Sequence, residues 1–528
     1  MDLKTVHPRI TDYLQQYAKE TPHRDAVIFG EQRITYAALE KQVTICAKAL
    51  LAMGINKGDR IAVLSTPRLE FWVLFLATAR IGGIWLGVNP KYTLDECRHV
   101  IGDAQPKLLF ALAEFEGRDF SATVQSLMSE NDCVKQAIAI LDSMPGALPY
   151  PQFLKQASAV SDAALDLVTN AVERLDPALL VYTSGSTGKP KGALLSHYGL
   201  CFGALVQNER FQVDDLRLIC NFPINHVGSV ADTCGVVLVV GGTLVLQERF
   251  DPGLVLRTIE QEHLTLLAGV PTMLLMLLEH PNFNQTNFSS LEVILWGGAA
   301  LPEQAIKRLQ AVVPRLMNAY GLTETAANTI HTRPNADLIE LSETVGRPNP
   351  HMPCRIVNSE GQLCAVGEQG ELQFQGEYLL LEYLNRPDAT RDVYTEDGWL
   401  HTGDIGYLRE EGTISLVGRM SDMFKSGGYN VYPREIEILL ESHPDIEMAA
   451  VVSVPDERYQ EVGAAYVLAA SDQALDTELL RAFCKGKLAN YKVPKYFQVV
   501  ADLPLLPVGK VDKVALKKRA KQQIAEVI

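Results

Sequence analysis

The chain contains 528 residues, which is too long for a single hydrophobic core and predicts two or more domains. Its hydrophobic content of 47% and charged content of 21% are ordinary for a folded globular protein. The formal net charge of −15 argues against a nucleic-acid partner, although it leaves room for one local anion site.

Nine cysteines are scattered along the chain without a C-x-x-C pair. This odd number favours free thiols in a reducing compartment over disulfides or a zinc site. The N-terminus lacks an apolar core of signal-peptide length, and the most apolar run, residues 234–246, is too short to span a bilayer. We therefore expect a cytoplasmic protein without stable membrane insertion, and interpret that run as two buried strands around a Gly241–Gly242 turn.

Apolar runs typical of strands alternate with helical patterns along most of the chain, which predicts an α/β fold. Three of these runs, residues 178–182, 293–296 and 315–321, each lead into a loop. A helix is expected to begin at Pro302, because apolar residues follow it at helical spacing. Since ligand sites in open α/β sheets form at strand ends, the three loops are expected to converge on one crevice.

The pattern changes near Gly418–Arg419. Beyond it come the glycine-rich segment KSGGYN, a helix start at Pro433, and the strand-like runs AAVVSV and AAYVLAA. This order predicts a small α+β domain of about a hundred residues, a common domain size. We place the domains at residues 1–419 and 420–528, and interpret the basic end of the chain as a solvated helix rather than a membrane contact.

The segment YTSGSTGKPKG, Tyr182–Gly192, has the composition of a phosphate-binding loop. It is not the mononucleotide loop G-x-x-x-x-G-K-[ST], because Thr183 replaces the first glycine and Pro190 the last hydroxyl residue. A flexible surface loop is the alternative, but the position after a buried strand favours an anion site. Backbone access, hydroxyl donors and positive charge would come from Gly185, Gly188, Gly192, Thr183, Ser184, Ser186, Thr187, Lys189 and Lys191.

Three later segments contain side chains suited to ligand binding or catalysis. YGLTET, residues 320–325, supplies an aromatic ring for stacking and a carboxylate suited to Mg²⁺. GWLHTGDIG, residues 398–406, places Asp404 in a glycine turn where its oxygens suit a ribose diol. PLLPVGKVDK, residues 504–513, presents Lys510 just after a glycine. Each signal is weak by itself, since an isolated Glu324 or Asp404 is more often a turn or cap residue.

Together the motifs resemble the adenylate-forming enzyme superfamily, which comprises acyl- and aryl-CoA synthetases, peptide-synthetase adenylation domains and beetle luciferases. Within the superfamily, the chain most resembles a stand-alone acyl-CoA synthetase. The resemblance covers nearly the whole chain. It rests, in order, on YTSGSTGKPKG, AYGLTET, GELQFQG, WLHTGDIG, GRMSDMFKSGGYNVYPREIE and LANYKVPK…LPLLPVGKVDK. It implies a large N-terminal domain of packed α/β subdomains with a β-rich part, and a small mobile α+β C-terminal domain that carries the catalytic lysine.

The resemblance also implies roles for residues in the first half-reaction. ATP-phosphate contacts are implied for Thr183, Ser184, Gly185, Ser186, Thr187, Gly188 and Lys189. Contacts with adenine are implied for Tyr320, Gly321, Gly298 and Ala299. Contacts with the ribose are implied for Asp404 and Arg419. Mg²⁺ would be held by Glu324 with Thr187, Thr323 would reach the α-phosphate, and Lys510 would be the catalytic lysine.

In this family the small domain rotates about a hinge near the GR motif, so that another face meets coenzyme A. Here the implied CoA-binding residues are Lys425, Gly427, Gly428 and Tyr429. The chain departs from the family at Ser421, where Lys or Asp is usual; either the rotation is tuned differently or the hinge tolerates serine.

The acyl pocket is implied by NFPINHVGS, which contains His226; considered alone, this residue is better explained as a core histidine. Asn225 replaces the usual aromatic neighbour, and the following glycine is displaced by one residue. The expected walls are His226, Val227, Trp296, Ala319, Gly321 and Asn328. Trp296 would block a long tunnel and favour a short, medium-length or aromatic acid.

The resemblance therefore implies a magnesium- and ATP-dependent acid–thiol ligase that makes an acyl-adenylate and then an acyl-CoA, with fatty acid metabolism as a context. A stand-alone adenylation enzyme that loads a carrier protein is one alternative, and a non-catalytic nucleotide-binding protein is another. Retention of Glu324, Asp404, Arg419 and Lys510 argues against the non-catalytic alternative. The expected partners are a small carboxylic acid, ATP and CoA, without nucleic acid; a homodimer is left open.

Overall fold

The computed structural model describes residues 6–141, 143–183, 190–470, 475–505 and 511–525. Residues 184–189 of the predicted phosphate loop, and Lys510, lie outside the described residues.

Two large sheets form most of the N-terminal part. The nine-stranded sheet has the order β18 (Arg347–Pro348), β17 (Asn328–His331), β16 (Arg315–Gly321), β15 (Val293–Gly297), β14 (Leu266–Gly269), β12 (Arg217–Cys220), β13 (Thr243–Leu246), β1 (Asp25–Phe29), β2 (Gln32–Thr35). The eight-stranded sheet has the order β21 (Glu382–Tyr383), β11 (Lys191–Ser196), β10 (Pro177–Thr183), β4 (Ile84–Val88), β3 (Arg60–Leu64), β5 (Leu108–Ala111), β8 (Gln136–Ala139), β9 (Leu148–Pro149). The central strand pairs of both sheets are parallel, which matches their near-continuous apolar sequences.

Smaller sheets follow along the chain. An antiparallel sheet has the order β19 (Cys354–Val357), β20 (Gly370–Phe374), β22 (Leu400–Leu408), β23 (Ile414–Arg419). The C-terminal sheet has the order β25 (Tyr429–Val431), β24 (Phe424–Ser426), β27 (Gln460–Ala469), β26 (Ile446–Asp456), and β28 (Tyr496–Val500) pairs with β27. A short hairpin joins β6 (Glu114–Phe115) and β7 (Arg118–Asp119).

The helices connect and cover these sheets. In the N-terminal part they are α1 (Ile10–Glu20), α2 (Tyr36–Ala52), α3 (Leu69–Arg80), α4 (Leu94–Ala104), α5 (Ser121–Glu130), α6 (Tyr150–Lys155), α7 (Asp162–Asn170), α8 (His197–Phe211), α9 (Val227–Ser229), α10 (Val236–Leu238), α11 (Pro252–Gln261), α12 (Pro271–Glu279), α13 (Glu303–Gln310), α14 (Leu338–Glu343) and α15 (Pro387–Asp392). The C-terminal part contains α16 (Pro433–Glu441), α17 (Thr477–Lys485) and α18 (Lys513–Ala525). The predicted α/β class, with a large N-terminal and a small α+β C-terminal domain, is confirmed.

The prediction of two strands for residues 234–246 is wrong in its first half. Val230–Gly235 forms a π-helical turn between α9 and α10, and the run becomes a strand only at Thr243–Leu246. The segment is buried along nearly its whole length, so no polar face marks its period. A short apolar run of this kind cannot be assigned to strand or helix by periodicity alone.

The change of character near Gly418–Arg419 coincides with a change of sheet. β23 ends at Arg419, and the C-terminal sheet begins at Phe424. Buried clusters fill each part separately: Leu440, Val451 and Val467 belong to a core of the C-terminal sheet. The predicted boundary after Arg419 falls between these two strands.

All nine cysteines are free, as predicted. None of the helices in the described part of the chain combines the length and the apolar character that a membrane crossing requires.

Candidate active site

A cavity of about 2030 Å³ opens where the two large sheets, the four-stranded sheet and the start of the C-terminal part meet. The ends of three strands reach it through Thr183, Gly297 and Gly321. The three strand ends thus converge, although not at the edge of one sheet, because β10 lies in the eight-stranded sheet and β15 and β16 in the nine-stranded sheet. Arg419 contributes from the end of β23, and Tyr432 contributes from the C-terminal part.

Asp404 is the buried centre of a polar triad beside this cavity. Its carboxylate accepts a hydrogen bond from the Tyr320 hydroxyl at 2.6 Å and one from Arg419 Nε at 2.9 Å. Burial and the Asp404 charge raise the pKa of the Tyr320 hydroxyl well above its usual value, and Asp404 raises the pKa of Arg419. A carboxylate has about four acceptor positions, and these two contacts from described residues use two of them. The implied ribose contact of Asp404 stays a prediction.

Tyr320 itself is largely buried, with 8% of its surface exposed, and its ring stacks on Phe374 at 6.3 Å. Its implied contact with adenine remains a prediction. The neighbouring glycines are required by geometry. A Cβ on Gly321 would lie 2.4 Å from the carbonyl oxygen of Ala327, and Gly298, which borders the cavity, has φ +84°. Ala299 follows it and is exposed.

Glu324 lies in a short 3₁₀ turn, Thr323–Thr325, directly after β16, and both Thr323 and Glu324 line the cavity. Its carboxylate accepts a hydrogen bond from the Tyr383 hydroxyl at 2.6 Å. The ammonium of Lys191 lies 4.4 Å from the centre of the Tyr383 ring. Burial and the Glu324 charge raise the pKa of Tyr383. The sequence did not single out Tyr383, because it lies 59 residues from Glu324 and in no motif.

His226 and Asn225 form another wall of the cavity. The Nδ1 atom of His226 accepts a hydrogen bond from the backbone N–H of Gly228 at 3.0 Å, which caps α9. Asn225 donates to the hydroxyl of Tyr92 at 2.8 Å. Val227 and Asn328 line the same cavity, and their implied role as walls of the acyl pocket stays a prediction.

Trp296 borders the cavity, yet its side chain is fully buried. It belongs to the same buried cluster as Ile294 and Leu301, whereas its neighbour Leu295 belongs to the cluster that contains Ala319. Because side chains alternate along a strand, Leu295 and Trp296 face opposite sides of the sheet. The control of acyl length by Trp296 therefore stays a prediction, and Leu295 becomes a second candidate.

The sequence motifs did not indicate one polar group in the cavity wall, the carboxylate of Asp232. Asp232 lies in the π-helical turn, lines the cavity and accepts a hydrogen bond from Gln207 Nε2 at 3.0 Å. Burial raises its pKa to about 7. The signal available in the sequence was a single carboxylate inside the long apolar stretch 227–246.

The implied CoA-binding residues lie on the surface rather than in the cavity wall. Lys425 and Gly428 are exposed, Gly428 has φ +91° with open space around it, and Tyr429 stacks on Tyr491 at 4.5 Å. Within the part that the structure describes, the adjoining Asn430 lines the cavity.

The described residues on each side of the predicted catalytic lysine are anchored. Leu505 and Val511 form a bridge, and Lys513 Nζ lies 2.7 Å from the buried carboxylate of Glu437. Ser421, at the expected hinge, lines the cavity next to Asp422, whose carboxylate lies 3.7 Å from Lys513.

Taken together, this fold and this cavity define a two-domain enzyme that handles a nucleotide. A family model described as AMP-binding enzyme matches residues 14–384, and another described as AMP-binding enzyme C-terminal domain matches residues 435–510. The chain belongs to this AMP-binding enzyme family.

Curated relatives match this chain over nearly its whole length and are named as CoA synthases or acyl-CoA ligases. A feruloyl-CoA synthase from Amycolatopsis sp. is 33% identical over 95% of this chain and 97% of its own. The human mitochondrial medium-chain acyl-CoA ligase ACSF2 is 32% identical over 97% of this chain and 87% of its own. These relatives confirm the predicted class, an acid–thiol ligase.

Solved structures agree in fold. ATP-bound MatB from Rhodopseudomonas palustris is 26% identical, with a TM-score of 0.83 over 98% of this chain and 99% of its own. The anthranilate CoA ligase AuaEII, in complex with anthranoyl-AMP, has a TM-score of 0.88 over 99% of this chain and 100% of its own; at 22% identity it supports the fold alone. The use of ATP follows from the family and from its ATP-bound members.

Proposed function

We propose that this enzyme joins a carboxylic acid to the α-phosphate of ATP, releases pyrophosphate, and then transfers the acyl group to coenzyme A. The observation that carries the proposal is that Glu324, His226 and Arg419 line one cavity, with Arg419 hydrogen-bonded to Asp404 and Asp404 to Tyr320 directly behind it. The chemistry requires such a site because hydroxide is a poor leaving group from a carboxylic acid, whereas AMP is a good one.

In the first half-reaction a carboxylate oxygen attacks the α-phosphorus, and the bond from that phosphorus to the pyrophosphate oxygen breaks. Negative charge accumulates on the phosphoryl oxygens, and fixed donors and cations stabilise it. Lys191 and Thr323 line the cavity where such charge would form. The triad of Tyr320, Asp404 and Arg419 would orient the nucleoside through its ribose.

Glu324 fits the role of a magnesium ligand. Mg²⁺ is usually held by one or two carboxylates together with substrate phosphates, and Glu324 presents a carboxylate to the cavity, where Tyr383 orients it. Bound there, the ion would neutralise phosphate charge. Thr187, the other implied ligand, lies outside the described residues.

In the second half-reaction the thiol sulfur attacks the acyl carbonyl, and AMP leaves. The exposed backbone at Gly427 and Gly428 would let the pantetheine arm pass, with Lys425 and Tyr429 beside it. This face lies outside the cavity wall, which is why a rotation of the C-terminal domain about residues near Ser421 forms part of the proposal. A carrier protein is the alternative acceptor.

The acid is proposed to be of medium length or aromatic. Relatives include a feruloyl-CoA synthase and medium-chain acyl-CoA ligases, and apolar residues such as Leu295 and Ala319 line the cavity.

The test is a pyrophosphate-release screen over a panel of carboxylic acids, followed by mass spectrometry of the products with ATP, Mg²⁺ and CoA. We expect acid-dependent pyrophosphate release and an acyl-CoA. Acyl-adenylate formed without thioester, but transferred to a carrier protein, would favour the alternative acceptor. Failure of every acid to release pyrophosphate would contradict the proposed reaction.

A further inference from the structure

Asp232 places a carboxylate in the wall of the cavity that the acid is proposed to occupy. Asp232 belongs to the π-helical turn Val230–Gly235 that follows His226 and α9. Apolar residues that line the same cavity include Val227, Ala268, Leu295 and Ala319, and the Asp232 carboxyl is buried. A carboxylate in such surroundings is costly unless hydrogen bonds or a cation compensate it.

Among the described residues, the contacts to the Asp232 carboxylate come from neutral donors. Gln207 Nε2 donates at 3.0 Å, and the backbone N–H of Asn328 donates as well. No ion pair joins Asp232 to a Lys, Arg or His within the described ranges of the chain. In the part of the chain that the structure describes, the carboxylate therefore has hydrogen bonds and no ion-pair partner.

Two further hydrogen bonds fix the orientation of the Gln207 side chain. Its Oε1 accepts from Asn328 Nδ2 at 2.8 Å, and its Nε2 also donates to the carbonyl of Gly203 at 3.3 Å. Gln207 is fully buried, so its amide stays in this arrangement. Asp232 is consequently held as a hydrogen-bond acceptor, with two of its roughly four acceptor positions used by the protein.

We propose that Asp232 selects acids that carry a hydrogen-bond donor, a hydroxyl or an amino group, at the end remote from the reacting carboxylate. The unused acceptor positions would receive this donor, while the apolar side chains around them contact the carbon skeleton. The inference rests on the proposed function, because it needs the acid to occupy this cavity. Burial, which raises the pKa of Asp232, adds support, since a bound donor would stabilise the charged form.

A site built to bind a hydroxyl group discriminates strongly against the analogue that lacks it, because the buried acceptor is then left unpaired. The test therefore uses pairs of acids that differ in one group. Suitable pairs are phenylpropanoic acid and its ring-hydroxylated or ring-amino isomers, cinnamic acid and its hydroxylated isomers, and hexanoic acid with its terminal hydroxy analogue. The measurement is kcat/KM for pyrophosphate release, with kcat and KM resolved.

The wild-type enzyme should prefer the donor-bearing member of at least one pair by about tenfold or more. Asp232→Leu should abolish or reverse that preference, mainly through KM, while the parent acid is still activated. Asp232→Asn keeps the size of the side chain and an acceptor for Gln207, so it should fold and show a reduced preference. Glu209→Gln, on the same helix as Gln207, serves as the control and should leave the ratio unchanged.

A purely structural role for Asp232 would lower the rates of both members of a pair together. A second measurement is the rise in melting temperature on adding the donor-bearing acid, which should be present in the wild-type protein, smaller in Asp232→Asn and lost in Asp232→Leu. Pyrophosphate release with a preference for the apolar parents, unchanged in Asp232→Leu, would overturn this inference and leave the proposed reaction standing. Absence of acid-dependent pyrophosphate release would overturn both.

Discussion

Replacing Asp232 by asparagine should change the pH dependence of the stability of the N-terminal part. Burial raises the pKa of this carboxyl from its ordinary 3.8 to about 7. An acid whose pKa is higher in the folded state binds its proton more tightly there, so the stability it contributes is present at low pH and is lost as pH rises from about 4 to about 7. Asparagine does not titrate, so the stability of the variant relative to wild type should rise across that window.

The size of this change in stability follows from the shift in the pKa of Asp232. One pKa unit corresponds to about 1.4 kcal/mol, so a shift from 3.8 to about 7 amounts to at most about 4 kcal/mol. Water in the cavity reduces this value. With an unfolding entropy of about 2.1 cal/mol/K per residue, a unit of roughly 400 residues would show a relative change in melting temperature of up to about 5 °C.

The assay is scanning calorimetry of wild type and Asp232→Asn between about pH 4.5 and about pH 8, where the other groups titrate equally in both proteins. The altered hydrogen bond to Gln207 adds an offset that does not depend on pH. Asp388→Asn, whose carboxylate is 82% exposed and pairs with Arg391 at the surface, is the matched control and should show no trend. A difference between Asp232→Asn and wild type that stays constant across this pH range would refute the reasoning.

Three further substitutions test the proposed ATP and CoA sites. Asp404→Asn weakens hydrogen bonds worth about 1.5–3 kcal/mol each, so KM for ATP should rise roughly tenfold or more; an unchanged KM would remove Asp404 from the nucleotide site, and Asp388→Asn is again the control. Lys510→Ala should slow adenylation roughly a hundred- to a thousandfold, yet spare thioester formation from pre-formed acyl-adenylate and CoA; equal loss of both steps would contradict this division. Gly428→Leu should reduce thioester formation while acid-driven pyrophosphate exchange survives. Gly146→Leu introduces the same backbone strain in another open turn (φ +79°) and controls for that strain; if it lowers thioester formation as much, pantetheine passage does not explain the effect.

The sequence alone determined the family, the α/β class and the segments that carry the nucleotide chemistry. This was possible because glycines, hydroxyls and charges recur there at short, ordered spacings that local backbone geometry requires. Gly321 illustrates the point, since a Cβ at this position would collide with the carbonyl of Ala327. Strands such as Val293–Gly297 and Arg315–Gly321 were predictable for the same local reason, because their apolar runs end at loops.

Only the tertiary structure decided which distant residues meet. Tyr383 reaches Glu324 across 59 residues, and Gln207 reaches Asp232 across 25. The structure also decided that Leu295 and Trp296 face opposite sides of one sheet, and that the apolar run after His226 begins as a π-helical turn. No local pattern contains this information, because burial on all sides removes the periodic contrast between polar and apolar faces and contacts between distant segments depend on how the sheets pack.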